Sequence, residues 1–156
     1  MIGVDIDEAA IDTANVSKAT ERLKNVEFRI LNAGDMPTDW AGRFDWVTML
    51  TVLHDLPNPD PSIKGVLQVI KDDGVFTALD PATHSDPKLN IGSKTAAASL
   101  AISCYVCLPC SLSAPPAVGN GIGWGLENRA KYLSDNGFDV QGNGLVSVIH
   151  CTKRNV

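Results

Sequence analysis

The chain lacks an excess of basic residues, a membrane-length apolar run and a basic leader, and each absence excludes a class of function. Thirteen Lys and Arg stand against eighteen Asp and Glu, a formal net charge of −5. Such a chain repels phosphate, which argues against general nucleic-acid binding. The longest apolar run, near 96–110, is shorter than the roughly 18–20 residues a membrane-spanning helix needs, so no membrane partner is expected. Asp5, Asp7 and Glu8 occupy the place of the positive region of a secretory signal. Four cysteines without such a signal read as cytosolic thiols, and a cytoplasmic location is expected. No internal repeat is visible. The remainder is ordinary globular composition: 156 residues, 44% hydrophobic and 20% charged, which predicts a single domain over 1–156.

Met1-Ile2-Gly3-Val4-Asp5 reads as a short buried strand ending in an acid. Asp7 then caps a helix from Glu8 to about Leu23, with acid in its first turn to complement the helix dipole. Val26–Leu31 alternates with period two and reads as a second strand. Phe44–Leu50 reads as a third, and the prolines at 57, 59 and 61 break the chain after it. Ile63, Val66, Leu67 and Ile70 form one helix face. Asp73-Gly74 predicts a turn into a fourth strand, Val75–Asp80.

Residues 95–126 hold no Asp, Glu, Lys or Arg. Their first half, through Leu108, reads as an apolar helix, and 111–123 as a loop. Leu126, Ala130 and Leu133 mark a further helix, with Gly137 at its C′ position. Strands near Phe138–Gln141 and Leu145–Thr152 follow, joined by an Asn143-Gly144 hairpin turn. Strands alternating with helices predict an α/β fold whose parallel sheet carries helices on both faces. Ligands of such sheets bind beyond the strand carboxyl ends. Asp5, Asn32, Thr51 and Asp80 all fall there.

The order of these motifs resembles class I S-adenosylmethionine-dependent methyltransferases. Gly3-Val4-Asp5 is similar to the family's second strand, whose terminal acid binds the cofactor ribose. Asn32-Ala33-Gly34-Asp35-Met36-Pro37 is similar to the loop after the third strand, with Asn32 in place of the usual carboxylate that accepts from the adenine amino group. Phe44–Val47 and Val52–Leu56 resemble the fourth strand and the L-H-x-L segment beyond it. Asp73–Phe76, Gly123–Gly125 and Asp135–Phe138 resemble the turn into the fifth strand, the last helix and the strand after it. The resemblance implies a Rossmann-like, mostly parallel sheet with an antiparallel C-terminal hairpin, and S-adenosylmethionine as cofactor. It implies cofactor contacts from Asp5, Ile6, Asn32, Ala33 and Thr51. His54 is the candidate base on a small-molecule acceptor, although methyl transfer also proceeds mainly by placing the nucleophile in line with the sulfonium.

The family's first strand and glycine-rich loop have no counterpart here. The chain is therefore expected to be an N-terminally truncated form or an inactive short paralogue, with impaired methyl transfer. The family's strand order, 3-2-1-4-5-7-6, makes the missing strand the central one. Its neighbours would then either leave a gap or pair directly. Two further readings are a non-catalytic binding or regulatory protein and a fragment of an NAD-dependent oxidoreductase, which also uses an acid at the position of Asp5. Cys104, Cys107 and Cys110 form a C-x2-C-x2-C run. Its apolar setting reads as buried small hydrophobes, so no metal is expected there. The 86–125 segment is the expected lid or acceptor-side insertion, and 95–126 a possible homodimer surface.

Overall fold

The structure, a computed structural model, describes residues 1–141 and 148–154. Strand β1 (Ile2–Asp5) leads into α1 (Glu8–Thr20), and β2 (Glu27–Ile30) and β3 (Phe44–Leu50) follow. Helix α2 (Pro59–Val69) runs directly into β4 (Ile70–Leu79). Helices α3 (Lys94–Tyr105), α4 (Cys107–Ser111) and α5 (Gly125–Asp135) precede β5 (Phe138–Gln141) and β6 (Val148–Lys153).

The strands form two sheets. One is a parallel β1–β2 pair; the other has the order β3-β4-β6-β5, with β3–β4 parallel and β6 antiparallel to both β4 and β5. Among the described residues β1 and β3 do not pair, so of the two arrangements open from the sequence the chain adopts the gap. The β1–β2 unit is joined to the larger sheet through α2. A Cβ at Gly65 of α2 would lie 2.3 Å from the Ala33 carbonyl oxygen, so only glycine permits this approach. Gln68 of α2 also donates to the carbonyls of Met36 and Pro37 at 3.4 and 3.2 Å.

One face of the larger sheet carries Met49, Phe76, Ala78, Phe138, Ile149 and Cys151. It packs on Ile63 and Val66 of α2 and on Leu126 and Leu133 of α5. Phe76 and Phe138 meet with ring centroids 5.3 Å apart. Burying each fully contributes about 1.5–3 kcal/mol. The other face differs from the expected double cover: Trp46 and Leu50 of β3 are 65% and 60% exposed.

Several boundaries move for identifiable reasons. Helix α1 ends at Thr20 rather than near Leu23, because Arg22 takes a positive φ of 53°. Ile70 belongs to β4 and pairs with Phe44; the strand continues through Asp73-Gly74 with a register shift before Trp46 pairs with Val75. The apolar helix expected through Leu108 breaks at Val106, and α4 begins with Pro109 in its first turn, where its missing N–H costs nothing. The Asn143-Gly144 turn and residues 145–147 of the last predicted strand lie outside the described residues.

Candidate active site

The carboxyl ends of β1, β2, β3 and β4 supply the candidate residues. Asp5 closes β1 and is exposed; its Oδ1 accepts from the Asp7 amide at 2.9 Å. No hydrogen bond engages its Oδ2 among the described residues, so this oxygen is free to accept from a diol. Ile6 beside it is 72% exposed. Asp7 in turn caps α1, accepting from Ala9 at 2.9 Å. Asn32 is exposed beyond β2 and forms an Asx turn, its Oδ1 accepting from the Gly34 amide at 2.8 Å. The second lone pair of that oxygen and the side-chain NH₂ stay open. Ala33 is half-buried against α2.

Thr51 follows β3 with φ 55°, a left-handed conformation costly for a β-branched residue. Its amide donates to the Leu79 carbonyl at 2.6 Å, so the last turn of β3 is tied to β4 although the backbone there is strained. The residue types suit the adenosine part of S-adenosylmethionine: an exposed carboxylate with a free oxygen closes β1, an exposed amide follows β2 beside it, and across the gap the exposed Thr51 hydroxyl, which donates to the Leu50 carbonyl at 2.7 Å, keeps its oxygen as an acceptor. Ligands of open α/β sheets bind beyond the carboxyl ends of the strands, the edge that these residues share.

His54 sits three residues further on and is only 2% exposed. Its Nδ1 bonds Asp80 Oδ1, and its Nε2 lies 3.2 Å from Asp55 Oδ1. The second contact does not meet hydrogen-bond geometry, and Asp55 Oδ1 is a buried oxygen without a hydrogen-bond partner. Asp80, at the end of β4, is buried too. Its Oδ2 lies 3.3 Å from Nη1 of Arg129, which is fully buried in α5. Arg129 also donates to the carbonyls of Gly125 and Pro81 at 3.1 and 2.7 Å. Burial pulls the Arg129 pKa down while Asp80 pulls it up. Cys107 of α4 approaches the same cluster; its thiol is pushed up to about 11, by burial first and by Asp55 next.

Sequence reasoning placed Asp80 at the functional edge but missed Arg129, Asp55 and Cys107 as its company. Nothing local signalled them: Arg129 stands in a charged helix beside Glu127 and Lys131, and Cys107 in an apolar one. It also missed how the loop after β4 is stitched to α5. Ser85 Oγ donates to the Trp124 carbonyl at 2.9 Å, the Leu126 amide donates to the Thr83 carbonyl at 2.8 Å, and Glu127 accepts from the Ser85 amide at 2.7 Å. A Cβ at Gly125, where φ is 73°, would meet the Ser85 amide nitrogen at 2.3 Å. Glycine is required for that seam. Cys104 and Cys110 are exposed while Cys107 is buried, and the three thiols do not gather into one cluster among the described residues.

In 86–125, Ile91, Ile102, Tyr105, Leu112 and Val118 are all more than half exposed, giving this segment an apolar surface. Among the described residues no helix is long and apolar enough to cross a membrane.

A family model described as a methyltransferase domain matches residues 1–140. Ubiquinone biosynthesis O-methyltransferase of Acinetobacter baylyi is 27% identical over 74 residues, 47% of this chain and 31% of that protein. The corresponding protein of a Neisseria meningitidis serogroup A strain is 23% identical over 73 residues, with the same coverage of 47% and 31%. The chain thus spans about a third of the length of the curated relatives it matches. Among solved structures, YcgJ of Bacillus subtilis superposes with TM-score 0.65 at 22% identity, covering 90% of this chain and 53% of that one. A SAM-dependent methyltransferase of Aquifex aeolicus superposes with TM-score 0.63 at 16% identity, covering 96% and 65%. At these identities the likeness establishes the fold: a Rossmann-like α/β sheet of mixed strand direction.

Proposed function

The chain belongs to the methyltransferase-domain family, and from that premise we propose that it binds S-adenosylmethionine at the ends of β1, β2 and β3 and serves methyl transfer to a small molecule. The observation that carries this reading is Asp5: an exposed carboxylate with one uncommitted oxygen, closing a strand inside the matched region. Asp5 accepts from the ribose hydroxyls, with Ile6 beside it. Asn32 and Ala33 border the adenine, and Thr51 lines the opposite wall of the gap. When bound, the cofactor supplies an electrophilic methyl group on a sulfonium.

The chain's own residues position and exclude rather than activate by strong base chemistry. His54 is the candidate for the acceptor-side role, yet its ring is buried, with Nδ1 bonded to Asp80 and Nε2 facing Asp55 without a hydrogen bond, so placing the acceptor in line counts for more than taking its proton. The apolar surface of 86–125 suits a hydrophobic or aromatic acceptor, and the same surface is a candidate for pairing two copies through 95–126. Turnover by the chain alone is expected to be low. No strand hydrogen-bonded to both β1 and β3 sets the separation of Asp5 and Thr51 among the described residues, and positional catalysis loses roughly 10²-fold for about 1 Å of misplacement.

Calorimetric titration with S-adenosylhomocysteine and, separately, with NAD tests this. The expected outcome is saturable binding of the former, weakened by about 1.5–3 kcal/mol in Asp5→Ala through loss of hydrogen bonds to a charged acceptor. Binding of NAD alone would replace the reading with an oxidoreductase one, and binding of neither would leave a non-catalytic protein.

A further inference from the structure

We infer that His54, Asp55 and Cys107 form a zinc-binding site that ties the segment after β3 to α4. Each of the three can bring one ligand atom within 4.8 Å of those of the other two. Nitrogen, oxygen and sulfur together form the donor set zinc prefers.

The orientation of His54 favours a metal. Metal-binding histidines commonly donate their second ring nitrogen to a carboxylate, which fixes the tautomer and aims the remaining lone pair. Here Nδ1 is committed to Asp80, whose other oxygen faces Arg129 Nη1 at 3.3 Å as an ion pair without a hydrogen bond, so Nε2 is the ligand nitrogen. Nε2 and Asp55 Oδ1 are 3.2 Å apart without hydrogen-bond geometry. Two ligand atoms at about 2.0–2.1 Å from a tetrahedral zinc are separated by about 3.3–3.4 Å, so the observed spacing is close to one edge of such a site. A direct hydrogen bond would align the ring N–H with the oxygen; a third body between the two groups does not require that. Asp55 Oδ1 is buried without a partner, and a cation satisfies it.

The ligands come from two segments that the sequence holds far apart, and the half-buried Asp55 leaves an approach from solvent. On binding, the Cys107 thiol gives its proton to solvent and the thiolate joins the metal. Three protein ligands leave a fourth position for water, the pattern of an open zinc site. The site uses only the central cysteine of the run, which explains why one of three is buried in a segment whose other two thiols face solvent. The assignment does not depend on methyl transfer, and it replaces the acceptor-side role of His54: with Nε2 and Asp55 on the metal, neither is left to take an acceptor proton.

The test uses the full chain, stripped with a chelator and titrated with zinc chloride alone, with metal content read by elemental analysis. The expected result is about one zinc per chain, lost in Cys107→Ser and in His54→Gln and retained in Cys104→Ser. Circular dichroism checks that each variant is folded. If Cys107→Ser or His54→Gln does not fold, the wild-type chain still decides. Cobalt substitution should give a thiolate charge-transfer absorption that is retained in Cys104→Ser and in Cys110→Ser. Absence of saturable zinc binding would overturn the site, as would loss of the thiolate absorption in Cys104→Ser or Cys110→Ser.

Discussion

His54 and Asp80, 26 positions apart, bond in the interior, and the carboxylate of Asp80 faces the guanidinium of Arg129 on its other side at 3.3 Å. All three side chains are at most 4% exposed. Removing one member of a buried pair leaves an uncompensated charge, which costs more than the pair contributes. Asp80→Ala should therefore destabilise the chain by about 3–5 kcal/mol. Urea denaturation at neutral pH measures this. A loss below about 1 kcal/mol, the range of an exposed pair, would mean that water reaches Arg129.

A second carboxylate gives a pH dependence whose sign follows from its neighbours. Burial pushes the Glu127 pKa up, but hydrogen bonds from the Ser85 amide and from His84 outweigh it and bring the pKa to about 2. The folded value lies below the unfolded one of 4.5. The stabilisation is then fully present above about pH 4.5 and is lost as pH falls toward 2. Glu127 is 45% exposed, so solvent screening keeps the contribution small. Glu127→Gln should lower the urea midpoint near pH 6 and converge on wild type only as pH falls to about 2. A constant difference across that range would assign the effect to packing rather than to charge.

Most of this architecture is legible in the residues. Period-two alternation marks β2, a largely apolar run broken only by Asp45 and Thr48 marks β3, and Asp7 announces the start of α1. The α2–β4 junction is not, because Ile70 satisfies both the helix spacing of Ile63 and Val66 and the pairing with Phe44. Tertiary pairing decides between two locally equal patterns. Asp5 and Asn32 are legible because each closes a strand or opens a turn locally. The His54–Asp80–Arg129 cluster is not, since its members meet only after the sheet and α5 have packed. The exposed face of β3 is also hidden, because burial depends on what lies across from a strand and not on the strand itself.

Thr51 carries strain that substitution can release. A β-branched residue at φ 55° costs about 1–3 kcal/mol, and the conformation persists because the Thr51 amide is bound to the Leu79 carbonyl. Thr51→Gly relieves this, offset in part by the greater freedom of glycine in the unfolded chain. A net gain of about 1 kcal/mol in unfolding free energy is expected. Affinity for S-adenosylhomocysteine should fall in the same variant if the hydroxyl lines the gap. A variant less stable than wild type would show that the threonine side chain contributes more than its backbone costs.

Trp46 and Leu50 project from one face of β3, and both are well exposed. Trp46 is anchored, its Nε1 donating to Thr77 Oγ1 at 2.9 Å; no hydrogen bond constrains Leu50 through its side chain. An apolar pair beside an unpaired strand edge is a self-association hazard. Leu50→Lys should raise the concentration at which the chain begins to associate, measured by light scattering, and change stability by no more than about 0.5 kcal/mol. An unchanged association threshold would move the sticky surface elsewhere, with 95–126 the next region to alter.

The gap between β1 and β3 makes the sharpest demand. Each strand pairs on one side only, β1 with β2 and β3 with β4, so the backbone groups on the facing edges have no ladder partners among the described residues. Asp5 and Thr51 stand at the carboxyl ends of those edges. Their separation is set indirectly, through α2 and its contacts with Ala33 and Met36, rather than by sheet hydrogen bonds. Indirect support permits small displacements, and a binding site that must hold both ends of an adenosine pays for them in affinity and in rate. An engineered variant supplying a parallel strand between β1 and β3 should therefore bind S-adenosylhomocysteine more tightly. The gain should be lost on Asp5→Ala, because the strand acts by fixing where Asp5 stands. The measurement is paired calorimetry of the chain and the engineered form, each with and without the Asp5 substitution. Equal affinity in the two forms would show that α2 alone holds β1 in place. A gain that survives Asp5→Ala would show that the added strand binds the ligand directly and that Asp5 is not its ribose contact.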